Sequence, residues 1–181
     1  EYLDGKRIKY FNPIRYTFWL ITALLLVSTW REVSLFAPVV AQVPDENVRI
    51  GFAQAMDILQ NSLVYLYFFM PIFLALVTKL FFFKYKYSVV ELYLVHLLCQ
   101  AHMTILSIVA LLFGVYENLL FFTSLSVVSI FYTSLTLSRL HLPQTKSNYI
   151  RGFLAGIISI TIGGVVIQFL AGVISGFFHT S

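Results

Sequence analysis

Residues 62–83 read SLVYLYFFMPIFLALVTKLFFF, with Lys79 as the one charged side chain among them. A soluble helix keeps a polar stripe for water; this stretch has none. Its length matches the roughly 20 apolar residues needed to cross a hydrocarbon core. Comparable runs occupy residues 14–30, 89–113, 119–137 and 152–178. The first is the shortest and starts with a charge, Arg15. The pattern predicts an all-α polytopic transmembrane bundle of about five spans. Composition agrees: 59% of the 181 residues are hydrophobic and 11% charged, against about 25% charged in a soluble domain. Too few polar groups are present to cover a water-facing surface, so the lipid bilayer is the expected partner. Residues 16–30 lack the small-residue A-x-A cleavage site of a signal peptide.

The charges orient the chain. Lys6, Arg7, Lys9 and Arg15 precede or begin the first span. Lys79, Lys84 and Lys86 mark the turn between the second and third, and Arg139, Lys146 and Arg151 flank the loop before the fifth. Arg31 and Arg49 are the two basic residues on the other side, where Glu32, Asp45, Glu46, Asp57 and Glu117 also fall. The positive-inside rule then predicts a cytoplasmic N-terminus and a periplasmic C-terminus, in a multi-pass protein of the cell inner membrane. The net charge of +4 follows from this asymmetry and points to no nucleic-acid partner.

Residues 1–13 read as a cytoplasmic basic segment, 14–181 as the transmembrane domain, and 31–61 as its one sizeable external connection. APVVAQVPDEN reads as an extended linker on its two prolines. In NVRIGFAQAMDILQ, Val48, Phe52, Ala55, Met56 and Leu59 recur at helical spacing, predicting an amphipathic helix on the outer interface or over the bundle. Asn12-Pro13 marks a turn into the first span, with Pro13 suited to its first turn. Pro71 is expected to kink the second span and free the carbonyl of Tyr67.

Ionisable groups inside a membrane are costly and are functional candidates by default. The third span, VVELYLVHLLCQAHMTILS, holds Glu91, His96, Gln100 and His102. Ser88 and Glu91 have capping-box spacing, which gives the carboxylate a local role. His96 lies about 7 Å and His102 about 16 Å beyond Glu91 along the helix. His96, Gln100 and Ser107 share one stripe with Met103, whereas His102 faces elsewhere, so the two histidines cannot ligate one metal from a regular helix. His141 and His179 lie near opposite membrane edges, which disfavours bis-histidine haem. The lone Cys99 allows neither an internal disulfide nor a CxxC site. No cofactor or metal is predicted. The four polar residues either form an intramembrane proton or ion relay or make interhelical hydrogen bonds of about 1 kcal/mol each; the second is the simpler reading.

Small residues supply the packing candidates. Ser126, Ser129, Thr133 and Thr136 line one face of the fourth span. Gly152, Gly156, Ser159 and Gly163 form a ridge on the fifth, and Gly172 and Gly176 repeat a GxxxG near its end. Such ridges let backbones approach closely, within one chain or between subunits. Enzyme signatures such as G-x-S-x-G, HExxH, Walker A and the Rossmann fingerprint are absent. The loop SRLHLPQTKSNYIR carries basic residues suited to lipid headgroups but no carboxylate. These features predict a non-enzymatic accessory or scaffold subunit with other membrane proteins as partners. The alternative is a small transporter or ion-translocating subunit using the polar face of the third span.

One resemblance becomes specific in EYLDGKRIKYFNPIRY. Tyr2, Leu3, Gly5, Lys6, Arg7, Tyr10 and Pro13 match the Tyr-Leu-x-Gly-Lys-Arg-x-x-Tyr-x-x-Pro segment leading into the first span of domain-of-unknown-function family 3667. These are small bacterial integral-membrane proteins frequent in Bacteroidetes. MPIFLALVTKLFFFKYKYSVVELY and FYTSLTLSRLHLPQTKSNYIRGFL are similar to the family's second span and to its polar loop before the last. The resemblance implies the same polytopic class and no established activity. This sequence departs from the family in lacking the N-terminal CxxC zinc ribbon, and in carrying Leu92 where members often place His after the Glu.

Overall fold

The computed structural model describes residues 12–83, 87–140 and 146–179, with backbone alone at 148, 168, 170, 171 and 174–179. The opening segment with Lys6, Arg7 and Lys9, the turn residues Lys84 and Lys86, and His141 lie outside the described residues. The fold is all-α: α1 (Pro13–Trp30), α2 (Ala37–Val40), α3 (Glu46–Asn61), α4 (Leu63–Phe81), α5 (Val89–Leu112), α6 (Leu119–Ser138) and α7 (Lys146–His179).

Local chemistry sets the helix starts. The Asn12 side chain accepts from the Ile14 and Arg15 amides at 3.0 and 3.2 Å, with Pro13 at the first helical position, where its missing N–H costs nothing. Asp45 and Asn118 cap α3 and α6 in the same way. Ser88 and Glu91 form the reciprocal capping box at the start of α5. The ends of α1 and α5 also match one another. Both close with Schellman hydrogen bonds, Val33 N–H to Ser28 and Val115 N–H to Ala110. The left-handed residue is Gly114 after α5 but Glu32, at φ 54°, after α1. α2 is a correction to the extended linker expected over residues 37–47: one helical turn forms there because Pro38 sits in its first turn, where proline is tolerated. α7 also begins earlier than its apolar run, so Lys146 and Arg151 stand on its first turns. Hydropathy sees only the part of a helix that lipid covers.

Among the described residues, four helices are long and apolar enough to cross a membrane: α4, α5, α6 and the Tyr149–Ile167 part of α7. The protein is a multi-pass membrane protein. These helices form a ring in which α5 touches α4 and α6, and α7 closes it by touching both α6 and α4. The diagonal pairs, α4 with α6 and α5 with α7, make no extensive contact. Neighbours in the ring are antiparallel: Thr78 meets His96 and Tyr67 meets Thr104 across α4–α5, while Gly152 meets Ser138 and Gly156 meets Ser134 across α6–α7. Half of the apolar window of α5 is buried, against 11% of that of α6. α5 is therefore the central helix and α6 mostly faces lipid.

α1 forms where the first of the five spans is expected, but it stands apart from the ring. It packs outside the ring, parallel to α5, with Tyr16 beside His102 and Arg31 beside Gly114. This register sets Pro13 level with Cys99, about 15 Å beyond the first turn of α5. α1 is thus offset toward the far end of the bundle, and it is not among the four helices above. Arg15, Tyr16, Thr17, Thr22 and Ser28 dilute its apolar character.

The two ends of the bundle differ in charge. Lys79, Arg139, Lys146 and Arg151 lie at one, which we call the basic end. Glu32, Asp45, Glu46, Asp57 and Glu117 gather with Arg31 and Arg49 at the other, covered by α2 and α3. Ala55, Met56 and Leu59 of α3 are buried against Leu66 and Ile167, whereas Val48 is exposed. This cover is pinned at Leu35. Its N–H donates to Gln60 Oε1 at 2.9 Å, and its carbonyl accepts from Tyr116 Oη at 3.2 Å. Lipid offers no hydrophobic drive between spans, so such polar links and close backbone packing hold the helices together.

Candidate functional site

The ring leaves a cavity of ≈ 400 Å³ at its centre, within the range of small-molecule sites. α5 contributes His96, Gln100, Met103 and Ser107, the stripe expected from 100° per residue. Tyr67, Met70 and Leu74 come from α4, Ser129 and Thr133 from α6, and Ile160, Gly163 and Gly164 from α7. Leu35, Phe36 and Tyr116 close the end beneath α2 and α3. Among the described residues, no Lys, Arg, Asp or Glu lines the space.

Most polar groups on this wall already have partners. His96 is 2% exposed, and its Nε2 lies 2.8 Å from Thr78 Oγ1 on fully buried Thr78. Thr104 Oγ1 donates to the Gln100 carbonyl at 2.9 Å. A hydroxyl has one proton, so Tyr67, with its oxygen 3.1 Å away, donates to Thr104. Ser107 bonds back to the Met103 carbonyl at 3.2 Å. Burial, with a smaller contribution from Tyr67, raises Tyr116 above the ordinary tyrosine range, so it stays a donor to Leu35. Gln100 Oε1 is different. It is buried and has no hydrogen-bond partner, one of two such side-chain atoms among the described residues. The other, Ser134 Oγ, is pressed against Gly156.

The structure does not bring the four relay candidates together. Glu91 turns back to its cap, with Oε2 accepting from the Ser88 N–H at 2.6 Å. His102 is exposed on the opposite side of α5, between Tyr16 of α1 and Tyr132 of α6, with Nδ1 3.0 Å from Tyr132 Oη. Only His96 and Gln100 reach the cavity, which corrects the four-residue relay. The cause is angular: Glu91 and His102 project away from the stripe that faces the ring centre. Among the described residues no three His, Cys, Asp or Glu side chains are placed to share a metal.

The small residues divide among three surroundings. A Cβ on Gly152 would lie 2.5 Å from the Ser138 Cα, and one on Gly156 2.4 Å from the Ser134 Cα, so α6 and α7 touch backbone to backbone near the basic end. Their partners are Ser134 and Ser138, a small-xxx-small pair that the Ser126–Thr136 stripe does not include. Ser129 and Thr133 have the same spacing, so spacing alone does not select it. Ser129 and Thr133 face the cavity, while Ser126 is exposed and bonds to its own helix at the Phe122 carbonyl. Gly163 packs on Leu74 and Met70 of α4, and a Cβ on Gly164 or Gly172 would meet nothing within 4 Å. Gly176 lies in α7, on the part described by its backbone alone. Arg15 is exposed at mid-height of α5, and Arg139 caps the end of α6. Pro71 is buried inside an unbroken α4.

No protein-family model, curated protein or solved structure matches this chain.

Proposed function

We propose that this chain is a non-catalytic membrane protein that admits a small molecule to the centre of its helix ring, as a small transporter or its substrate-binding subunit does. The observation that carries this reading is the cavity itself. Four spans surround it, a polar stripe of α5 faces it, and the diagonal helices stay apart. A protein serving only as a scaffold gains nothing from an unfilled centre, because lost packing contacts weaken it. In this reading the basic end faces the cytoplasm, and α2 and α3 cover the outer mouth. The relay form of transport is not part of it, since Glu91 and His102 point away.

Cysteine accessibility tests the reading. On a Cys99→Ala background, Met103→Cys places a thiol on the cavity wall and Ile105→Cys places one on the exposed face of the same helix. A water-soluble maleimide attacks thiolates, which do not form in hydrocarbon. Met103→Cys is expected to react at least about tenfold faster than Ile105→Cys. Equal, slow rates at both positions overturn the proposal.

A second reading, an accessory subunit, draws on the exposed strip of α7. Gly164 and Gly172 leave room for a close helix there, beside exposed Val165, Phe169 and Val173.

A further inference from the structure

Resting on the reading of the ring centre as a binding cavity, we infer that its ligand is an uncharged single-chain amphiphile, a hydrocarbon tail bearing a hydroxyl or amide head, with the head bound at Gln100.

Charge is the first argument. Among the described residues no ionised side chain lines the space, so a charged ligand would lose its hydration with nothing there to offset the loss. The second argument is the distribution of polar groups. Tyr67 is committed to Thr104, His96 Nε2 to Thr78 and Ser107 to its own helix. The Gln100 amide carries the buried polar atom on this wall that is left unsatisfied. An unpaired buried acceptor costs about 1–3 kcal/mol, and a ligand that donates to it recovers that loss. An amide presents acceptor and donor at the same end, so a hydroxyl, which is both, satisfies it.

Shape gives the third argument. From His96 to Ser107 the stripe runs eleven residues, or about 16 Å. Beyond Gln100 the walls are mostly apolar, with Leu24, Leu63, Leu66, Met70, Ile160 and Ile167. A polar end joined to an apolar passage of this length suits a headgroup and a single tail. An entry route from the bilayer exists as well. α6 and α7 meet backbone to backbone at Gly152 and Gly156, but Gly164, further along, is exposed, has open space at its Cβ position and still lines the cavity. The tail can enter sideways past Gly164 without the whole ring opening.

The test uses the full chain in detergent micelles and dodecanol as the probe. Dodecanol is expected to slow maleimide modification of Met103→Cys (on Cys99→Ala) by about tenfold, while dodecane and laurate at the same concentration do not. Ile105→Cys reports any general effect on the micelle. Gln100→Leu removes the headgroup site and is expected to abolish this selectivity. Since it also removes an unsatisfied buried atom, its thermal stability should not fall, and that measurement checks its folding. Equal protection by dodecanol and dodecane, or undiminished dodecanol selectivity in Gln100→Leu, overturns the inference while leaving the cavity reading in place. If Met103→Cys is as unreactive as Ile105→Cys before any ligand is added, the cavity reading fails, and the inference fails with it.

Discussion

Gly156 shows how one missing Cβ sets the distance between two helices. The nearest atoms to its would-be methyl are backbone and Oγ of Ser134, and the backbone cannot rotate aside. Gly156→Ala must therefore push α6 from α7, at a cost of about 1–3 kcal/mol for overpacking. Gly164→Ala, eight residues along the same helix, meets open space and gains helix propensity. Thermal unfolding in detergent should separate the two, with a lowered midpoint for Gly156→Ala and an unchanged or raised one for Gly164→Ala. At this scale the sequence was legible in part. Gly152 and Gly156 stand out as small residues at four-residue spacing. Their partners Ser134 and Ser138 do not, because span four offers hydroxyls on several faces and only the crossing of two helices selects one. The orphaned Gln100 oxygen was equally hidden. A glutamine in an apolar helix announces a polar need, but whether a neighbour meets it depends on every side chain nearby.

Among the elements, α5 was the most readable. Its cap, its length and its polar stripe all follow from local spacing, as does the divergence of His96 and His102. The cover over the acidic end was less so. Amphipathic spacing marks the buried Ala55, Met56 and Leu59 of α3, but Val48, counted on the same face, is exposed. The link that holds α3 down is a side chain reaching a distant backbone. Gln60 Oε1 accepts from Ser34 Oγ at 3.1 Å and from the Leu35 N–H at 2.9 Å. Gln60→Leu leaves that buried N–H without an acceptor, at a cost of about 1–3 kcal/mol. Amide hydrogen exchange should then quicken over residues 46–61 while α4 to α7 stay protected. Uniform quickening along the chain would mean that α3 and the ring open as one unit.

For the whole molecule, alternation of direction through α4, α5, α6 and α7 is built into the ring, and the proposed sidedness rests on the charge asymmetry between its ends. On Cys99→Ala, Asn47→Cys is expected to react with a membrane-impermeant maleimide in intact cells, while Lys146→Cys and Lys6→Cys react only after permeabilisation. The pair of basic-side positions is the informative part. If Lys6→Cys and Lys146→Cys label from opposite faces, α1 does not cross, in keeping with its offset along α5. If all three patterns are reversed, the positive-inside assignment is wrong.

The sequence by itself determined the class, the long helices and their order. Apolar runs of membrane-crossing length, caps at Asn12, Asp45, Ser88 and Asn118, and a one-sided distribution of Lys and Arg act through local propensity and through transfer between water and lipid, and both can be read residue by residue. Tertiary structure decided the rest. It set α1 outside the ring and out of step with it, welded α6 to α7 at Gly152 and Gly156, and kept the diagonal helices apart around a cavity that leaves the Gln100 side-chain oxygen without a partner. Helix packing in lipid has no hydrophobic gradient to steer it, so it rests on shape and paired polar atoms across elements, and those exist only once the helices have met.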